Sequence, residues 1–194
     1  MLLRAKDRMI ASTIELIATN GVASTGISEL IEHSNVSRRT MYVNFPGGKS
    51  ELVTDATRHA GRSMTEILSG FLADTPVEIA LPAFGGWWAE TIEASTFTRG
   101  CPMMAAVLGR AEVPAAAYYA EETFGRWTEL LRARLESDGI DSSESRSLAV
   151  TIIAAIEGAV LASLAAHSTA PLDQVTRQMA RLVAVSVAQP ARIT

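Results

Sequence analysis

The sequence predicts an all-α fold of about nine helices, a three-helix N-terminal head followed by a larger helical body. Three observations carry this. Apolar residues recur at three- and four-residue spacing, as in Ile10, Ile14, Ile17 and Ala18. No stretch alternates with the two-residue period of a strand. Gly- and Pro-containing breaks divide the periodic runs, at Asn20-Gly21, Pro46-Gly47-Gly48, Thr75-Pro76, Val113-Pro114 and Asp138-Gly139.

The first helix is expected over 3–20, from Leu3 to Asn20, with Ala11 near its apolar face and Gly21 as the stop. Ser24-Thr25-Gly26 suits the N-cap of a second, short helix carrying Ile27, Leu30 and Ile31 and ending near His33-Ser34-Asn35. Val36 plugs the core from the turn. Ser37 caps a third helix with Met41, Tyr42 and Phe45 as its apolar positions. Two helices this short need others to pack on. Residues 49–72 supply one, amphipathic through Leu52, Val53, Ala56, Ala60, Met64, Ile67, Leu68 and Phe71. Such a helix spans about 35 Å and can act as a lever.

Residues 77–96 read as helix with a break or kink at Pro82 and Gly85-Gly86. A turn at Thr98 to Pro102, a short apolar helix over 103–110 and a long helix over 115–137 follow. Ser142-Ser143-Glu144 is expected to cap a helix reaching His167. Pro171 starts the last helix, which ends before Pro190. The division expected is a three-helix head over 1–48, a connecting helix over 49–72, and a larger helical domain over 73–194.

With 194 residues the chain can bury a substantial core, and 48% hydrophobic residues imply much buried helix surface or an oligomer interface. The single cysteine, Cys101, allows no internal disulfide, and the charged first turn is not that of a secretion signal. A cytoplasmic protein is expected. Residues 1–62 carry a net charge of +2 and residues 63–194 a net charge of −6. A weakly basic head on an acidic body fits a head that meets phosphate, although ordinary scatter of surface charge explains the same numbers. Leu148 to Ala166 is apolar over the length of a membrane span, but Glu157 and Gly158 sit in its middle. A helix buried between protein surfaces is expected, and no membrane.

The pattern Ile27 to Phe45 reads as a helix-turn-helix. The second helix of that motif lies in the major groove of DNA, and its early residues touch base edges. Ser37, Arg38, Arg39 and Thr40 are donor-rich at those positions. Arg holds a guanine edge bidentately, and Thr or Tyr touches a thymine methyl or a phosphate. Tyr42 and Asn44 stand further along, where phosphate contact is expected. Lys49, one of only two lysines, opens the next helix as a phosphate anchor. The competing reading is a solvated helical hairpin with two surface arginines.

The segment from Arg8 to Leu52 resembles the N-terminal domain of the TetR family of bacterial transcriptional repressors. Asn20-Gly21, Thr25 and Ile27, Val36-Ser37, Met41-Tyr42, Phe45, Lys49 and Leu52 keep the family spacing without insertion. Phe45-Pro46-Gly47-Gly48-Lys49, with Gly100-Cys101-Pro102, resembles the branch named for LmrA and YxaF. In that branch small aromatic or drug-like effectors release the repressor from DNA. Glu157-Gly158-Ala159 is a further short match. Two departures lie where the family touches DNA. A pair of threonines is replaced by Thr25-Gly26, leaving Thr25 and putting Ser28 in place of the missing hydroxyl. Arg39 stands where a small residue is common, and it either reads a base or props the helix away.

The resemblance implies an effector site in the body. Aromatic and flexible apolar walls with a few polar groups suit it: Trp87, Trp88, Thr91, Met103, Met104, Val107, Tyr118, Phe124, Trp127 and Glu157. The same residues also suit a plain core. A carboxylate in a run as apolar as that around Glu157 must be paired, hydrated, or at a cavity or interface edge. Two copies are expected, since one recognition helix makes few contacts. The last two helices are the expected interface, through Leu148, Ile152, Ala155, Ile156, Ala159, Val160 and Ser163 with Leu172, Val175, Met179, Leu182, Val183 and Ser186. No cofactor or metal is expected, because His33, His59 and His167 have no ligand spacing. Enzyme activity is not expected either. Two rivals remain: a helical small-molecule-binding protein without DNA binding, and a hydrolase using Cys101.

Overall fold

A computed structural model describes residues 4–188. Among them are nine α-helices and no strand: α1 Ala5–Ser24, α2 Ile27–Ser34, α3 Arg38–Asn44, α4 Gly48–Leu72, α5 Val77–Ala94, α6 Pro102–Leu108, α7 Pro114–Ser137, α8 Ser142–Ala166 and α9 Ala170–Ala188. The all-α expectation holds. The expected helix start at Leu3 and the stop at Pro190 lie outside the described residues. The chain forms two compact units: Met1–Met64 with Gly100–Thr123, and Thr65–Arg99 with Phe124–Thr194, each as far as it is described.

The first unit is built around α3. Met41 and Phe45 are fully buried among Met9, Leu16, Leu30 and Leu52, with Ile10, Ile27, Ile31 and Val36 packed at the edge. Lys6 Nζ lies 5.2 Å from the Phe45 ring centroid. Gly21 adopts φ 79°, ψ 162°, which breaks the helical path of α1 where the sequence places its stop. The cap of α2 falls in the expected segment, at its last residue, and neither Ser24 nor Thr25 takes the position. Thr25 is fully buried and its hydroxyl donates to the Gly21 carbonyl at 2.8 Å. Gly26 is the N-cap, and the Glu29 carboxylate accepts from its N–H at 3.3 Å and from Asn20 Nδ2 at 2.9 Å. Glu29 thus does by itself what a side-chain cap would have shared.

Asn35, at φ 50°, ends α2. Its N–H donates to the Glu32 carbonyl, and that of Val36 reaches back to Ile31. This left-handed stop turns the chain sharply and drops Val36 onto the core. Arg8 Nη2 donates to the Asn35 carbonyl at 3.2 Å, fastening the turn to α1. Ser37 caps α3 as expected, accepting from Thr40 N–H at 3.0 Å. The same unit contains α6, which packs on α1.

In the second unit α9 lies against both α5 and α8. The expected break in α5 is absent: the helix runs from Val77 to Ala94 through Pro82. Pro82 is exposed and falls in the second turn, where its ring costs a single backbone bond. Gly85 serves packing rather than a bend. A methyl added there would lie 2.7 Å from Thr176 Cγ2 on α9, so only glycine permits this approach. The cap of α8 also moves by one residue. Asp141 takes the position, its carboxylate accepting from Ser143 N–H at 2.8 Å and Glu144 N–H at 3.4 Å. Ser143, hydrogen-bonding Asp141 through side chain and backbone, with the Glu144 N–H, holds the Asp141 carboxyl below its ordinary pKa.

Arg134 and Asp138 join three helix ends. Arg134 Nη1 donates to the carbonyls of Leu72 and Ala73 at 3.4 Å, and Nη2 pairs with Asp138 at 2.9 Å. Asp138 in turn accepts from Val77 N–H at 2.8 Å. The cation sits at the C-terminus of α4 and the carboxylate at the N-terminus of α5, the favourable polarity at each end.

By length and hydropathy α8 could cross a membrane. It instead packs as a core helix, burying Leu148, Ile152, Ile156, Ala159 and Val160 within the unit.

The adjacent glycines of α5 test the packing. Gly85→Ala is expected to cost about 1–3 kcal/mol by overpacking Thr176. Gly86→Ala meets nothing within 4 Å and is expected to stabilise by about 0.5–1 kcal/mol through helix propensity. Denaturant midpoints of the two variants should therefore move in opposite directions.

Candidate nucleic-acid interface and effector region

Burial of Met41 and Phe45 orients the other side of α3 outward. Arg38, Arg39, Tyr42 and Val43 are exposed there, at spacings of one, three and four that place them on one face. Tyr42 is 41% exposed and Val43 71%. The arginines bring two positive charges to this face, with no acidic residue in the first turn of α3.

Hydrogen bonds stiffen the face. Arg38 Nη2 donates to Ser28 Oγ at 3.4 Å, linking α3 to the exposed side of α2. Ser37 and Thr40 hydroxyls are 2.8 Å apart, and Asn44 Nδ2 donates to the Thr40 carbonyl at 2.8 Å. Thr40 and Asn44 are half-buried beside the exposed residues. Lys49 lies in the first turn of α4, with its ammonium 3.1 Å from Glu112.

Ser28, Ser37, Arg38, Arg39 and Tyr42 are thus exposed on α2 and α3, with Thr40, Asn44 and Lys49 half-buried. Thr25 is apart from them. Its side chain is buried and its hydroxyl is occupied by the Gly21 carbonyl, so it shapes the turn before α2. Val43 was not among the sequence candidates. Its signal was present: it lies two residues past Met41, on the opposite side of a helix, where an apolar side chain has no core to enter. An exposed methyl-bearing side chain beside two arginines is suited to thymine.

The candidate effector residues divide between the two units. Trp87, Trp88, Thr91, Phe124, Trp127 and Glu157 belong to the second. There Phe84 stacks on Trp87 at 5.6 Å and 11°, Phe71 meets Phe84 edge-on at 5.6 Å, and Trp88 meets Trp87 edge-on at 5.1 Å. Phe71 and Phe84 extend the run beyond the sequence candidates, and Phe84 stands three residues before Trp87, one helical turn. Trp127 meets Phe124 edge-on at 5.1 Å, and its Nε1 donates to Thr65 Oγ1 at 2.9 Å. Thr91 spends its hydroxyl on the Trp87 carbonyl at 2.9 Å. Glu157 is half-buried in the middle of α8.

Met103, Met104, Val107 and Tyr118 belong to the first unit. Met103 is fully buried, Val107 half-buried, and Met104 and Tyr118 are exposed. A hydrogen bond to Glu122 and the nearby carboxylate charge raise the Tyr118 phenol above its ordinary pKa. Cys101 is buried at the N-cap of α6. Among the described residues no group of three or more His, Cys, Asp or Glu is arranged to hold a metal ion.

Comparison with known proteins identifies this architecture. Residues 9–56 match the model of bacterial regulatory proteins of the tetR family. Residues 76–178, more than half of the chain, match the C-terminal domain of LmrA/YxaF-like transcriptional regulators. An uncharacterised HTH-type transcriptional regulator of Mycobacterium tuberculosis is 28% identical over 193 residues, covering 96% of this chain and 98% of the other. The HTH-type transcriptional regulator LmrA of Bacillus subtilis is 24% identical, covering 87% and 90%. Among solved structures, a TetR transcriptional regulator from Legionella pneumophila superposes with a TM-score of 0.84 at 19% identity, covering 93% and 98%. The family and these relatives are regulators of transcription and not enzymes. The chain belongs to the TetR family of DNA-binding transcriptional regulators, with a C-terminal domain of the LmrA/YxaF-like type.

Proposed function

We propose that the protein is a cytoplasmic repressor that binds a double-stranded operator as a homodimer and is released by a small aromatic or drug-like effector. The exposed face of α3 carries this reading. Arg38 and Arg39 read base edges, Val43 and Tyr42 meet a thymine methyl or backbone, and Ser28, Ser37, Thr40, Asn44 and Lys49 set the register on phosphates. The aromatic run Phe71, Phe84, Trp87 and Trp88 supports an effector with a planar apolar body. Glu157, half-buried in α8, is the candidate polar contact. Release follows from a population shift: the effector binds better to a form whose two heads no longer match successive major grooves, and α4 carries the movement. DNA then weakens effector binding by the same factor.

The dimer forms through α8 and α9, but not through most of the residues singled out from sequence. Leu148, Ile152, Ile156, Ala159, Val160, Ser163, Leu172, Val183 and Ser186 are buried inside the chain's own core. Both faces of these helices are apolar, and periodicity alone cannot choose between them. The outward face is Val150, Ala154, Gly158 and Leu161 of α8, with Leu182 and Val185 of α9. Leu161, 68% exposed, is costly to leave in water. Gly158 has no atom within 4 Å of an added Cβ, which leaves room for close helix approach.

Arg38→Ala should lower affinity for the promoter fragment beside the protein's own gene by about 1–3 kcal/mol, read by fluorescence anisotropy. Unchanged affinity would remove Arg38 from the base-reading set. Gly158→Glu should leave the helical circular dichroism intact and weaken the dimer at least ~100-fold, since two carboxylates would be buried across a two-fold axis. Sedimentation velocity that shows a dimer in both proteins would rule out this interface.

A further inference from the structure

Two lysines occur in the sequence, and both are paired: Lys6 with Asp55 at 3.4 Å, and Lys49 with Glu112 at 3.1 Å. The second pair joins the first turn of α4 to the corner between α6 and α7. Glu112 comes from outside the helix-turn-helix, yet its carboxylate pairs with a cation assigned to a phosphate.

The corner holds Glu112 in place. Gly109 is buried against Val22 near the end of α1, and a methyl added there would lie 2.5 Å from Val22 Cβ. The N–H groups of Glu112 and Val113 both donate to the Gly109 carbonyl at 3.0 Å, and Val113 is buried. At the other partner, Gly48 at φ 67° sets the start of α4 and fixes the backbone that carries Lys49. Lys49 is only 20% exposed and Glu112 45%. A cation in the first turn of a helix faces the positive end of the helix dipole, so it gains from an adjacent anion. Glu112 supplies one when DNA is absent.

We infer that Glu112 is an internal competitor for the Lys49 ammonium, so that the α6–α7 corner sets how much of the α4 phosphate anchor is available to DNA. The inference rests on the reading of Lys49 as a phosphate contact. When DNA binds, the ammonium turns toward phosphate, and the Glu112 carboxylate is left near the negatively charged backbone. Both changes lower affinity. A conformation that draws the corner away from α4 frees the anchor, and one that presses it closer holds the anchor back. Helix α7 begins at Pro114, two residues beyond Glu112, and also carries Phe124 and Trp127. Events at those rings therefore have a covalent route to the corner.

The test is a mutant cycle on the full-length chain with Glu112→Gln, Lys49→Gln and the double variant. Each is titrated with the promoter fragment across a series of KCl concentrations. Glu112→Gln should bind about two- to fivefold more tightly per head, the worth of a partly exposed ion pair. Lys49→Gln should bind more weakly, with the slope of log affinity against log salt shallower by about 0.9 per head. In the Lys49→Gln background, Glu112→Gln should tighten binding less, because only the repulsion between its carboxylate and the DNA backbone remains to be relieved. Equal tightening in both backgrounds would overturn the inference, because the effect would then be general charge repulsion. No tightening by Glu112→Gln, or no change of slope on removing Lys49, would overturn it as well. If the unaltered protein binds no duplex at any salt concentration, the underlying reading of Lys49 falls and the inference falls with it.

Discussion

The packing of Met41 and Phe45 into the first unit is the constraint on which the structure depends. α3 has only seven residues, and a helix of that length is marginal in water. Its stability comes from the two side chains it buries, each worth about 1.5–3 kcal/mol, and from the Ser37 cap. Anchoring one side so firmly leaves the opposite side out of the core. Arg38, Arg39, Tyr42 and Val43 can therefore be chosen for what they touch outside the protein. The left-handed Asn35 and the Arg8 bond to its carbonyl fix the angle at which α3 leaves α2. The direction in which the outer face of α3 points is thus set by backbone geometry.

Much of this was legible in the sequence because it depends on local rules. Spacing of apolar residues found the helices, and Gly21, Ser37 and Gly48 marked their ends. Failures came where tertiary packing decides. Pro82 and Gly85-Gly86 look like a break, but Pro82 is exposed and Gly85 admits Thr176 of α9, a neighbour far along the chain. Thr25 looks like a cap or a phosphate ligand, yet its hydroxyl is taken by the Gly21 carbonyl. The inner and outer faces of α8 are both apolar, so periodicity gives no preference between Ile152 and Val150. The approach of α6 to α1 has no sequence signal at all, and Glu112 reaches Lys49 because of it.

The charge layout connects these parts. A head of net charge +2 on an otherwise acidic chain leaves few cations to share. Arg38 and Arg39 lie on the open face, whereas Lys49 is balanced by a carboxylate of the α6–α7 corner. In the proposed reading recognition and regulation are separated: α3 reads bases, and Glu112 tunes backbone anchoring at the start of α4. The aromatic run in the second unit is the surface proposed for a planar ligand.

Base-edge reading in the major groove by the outer face of α3 is tested most directly by methylation interference on the promoter fragment. Methylation of guanine N7 blocks the edge an arginine would hold. Two symmetry-related clusters of interfering guanines, about one helical turn apart, are expected. Binding that is salt-dependent yet indifferent to N7 methylation throughout the protected region would contradict base-edge reading.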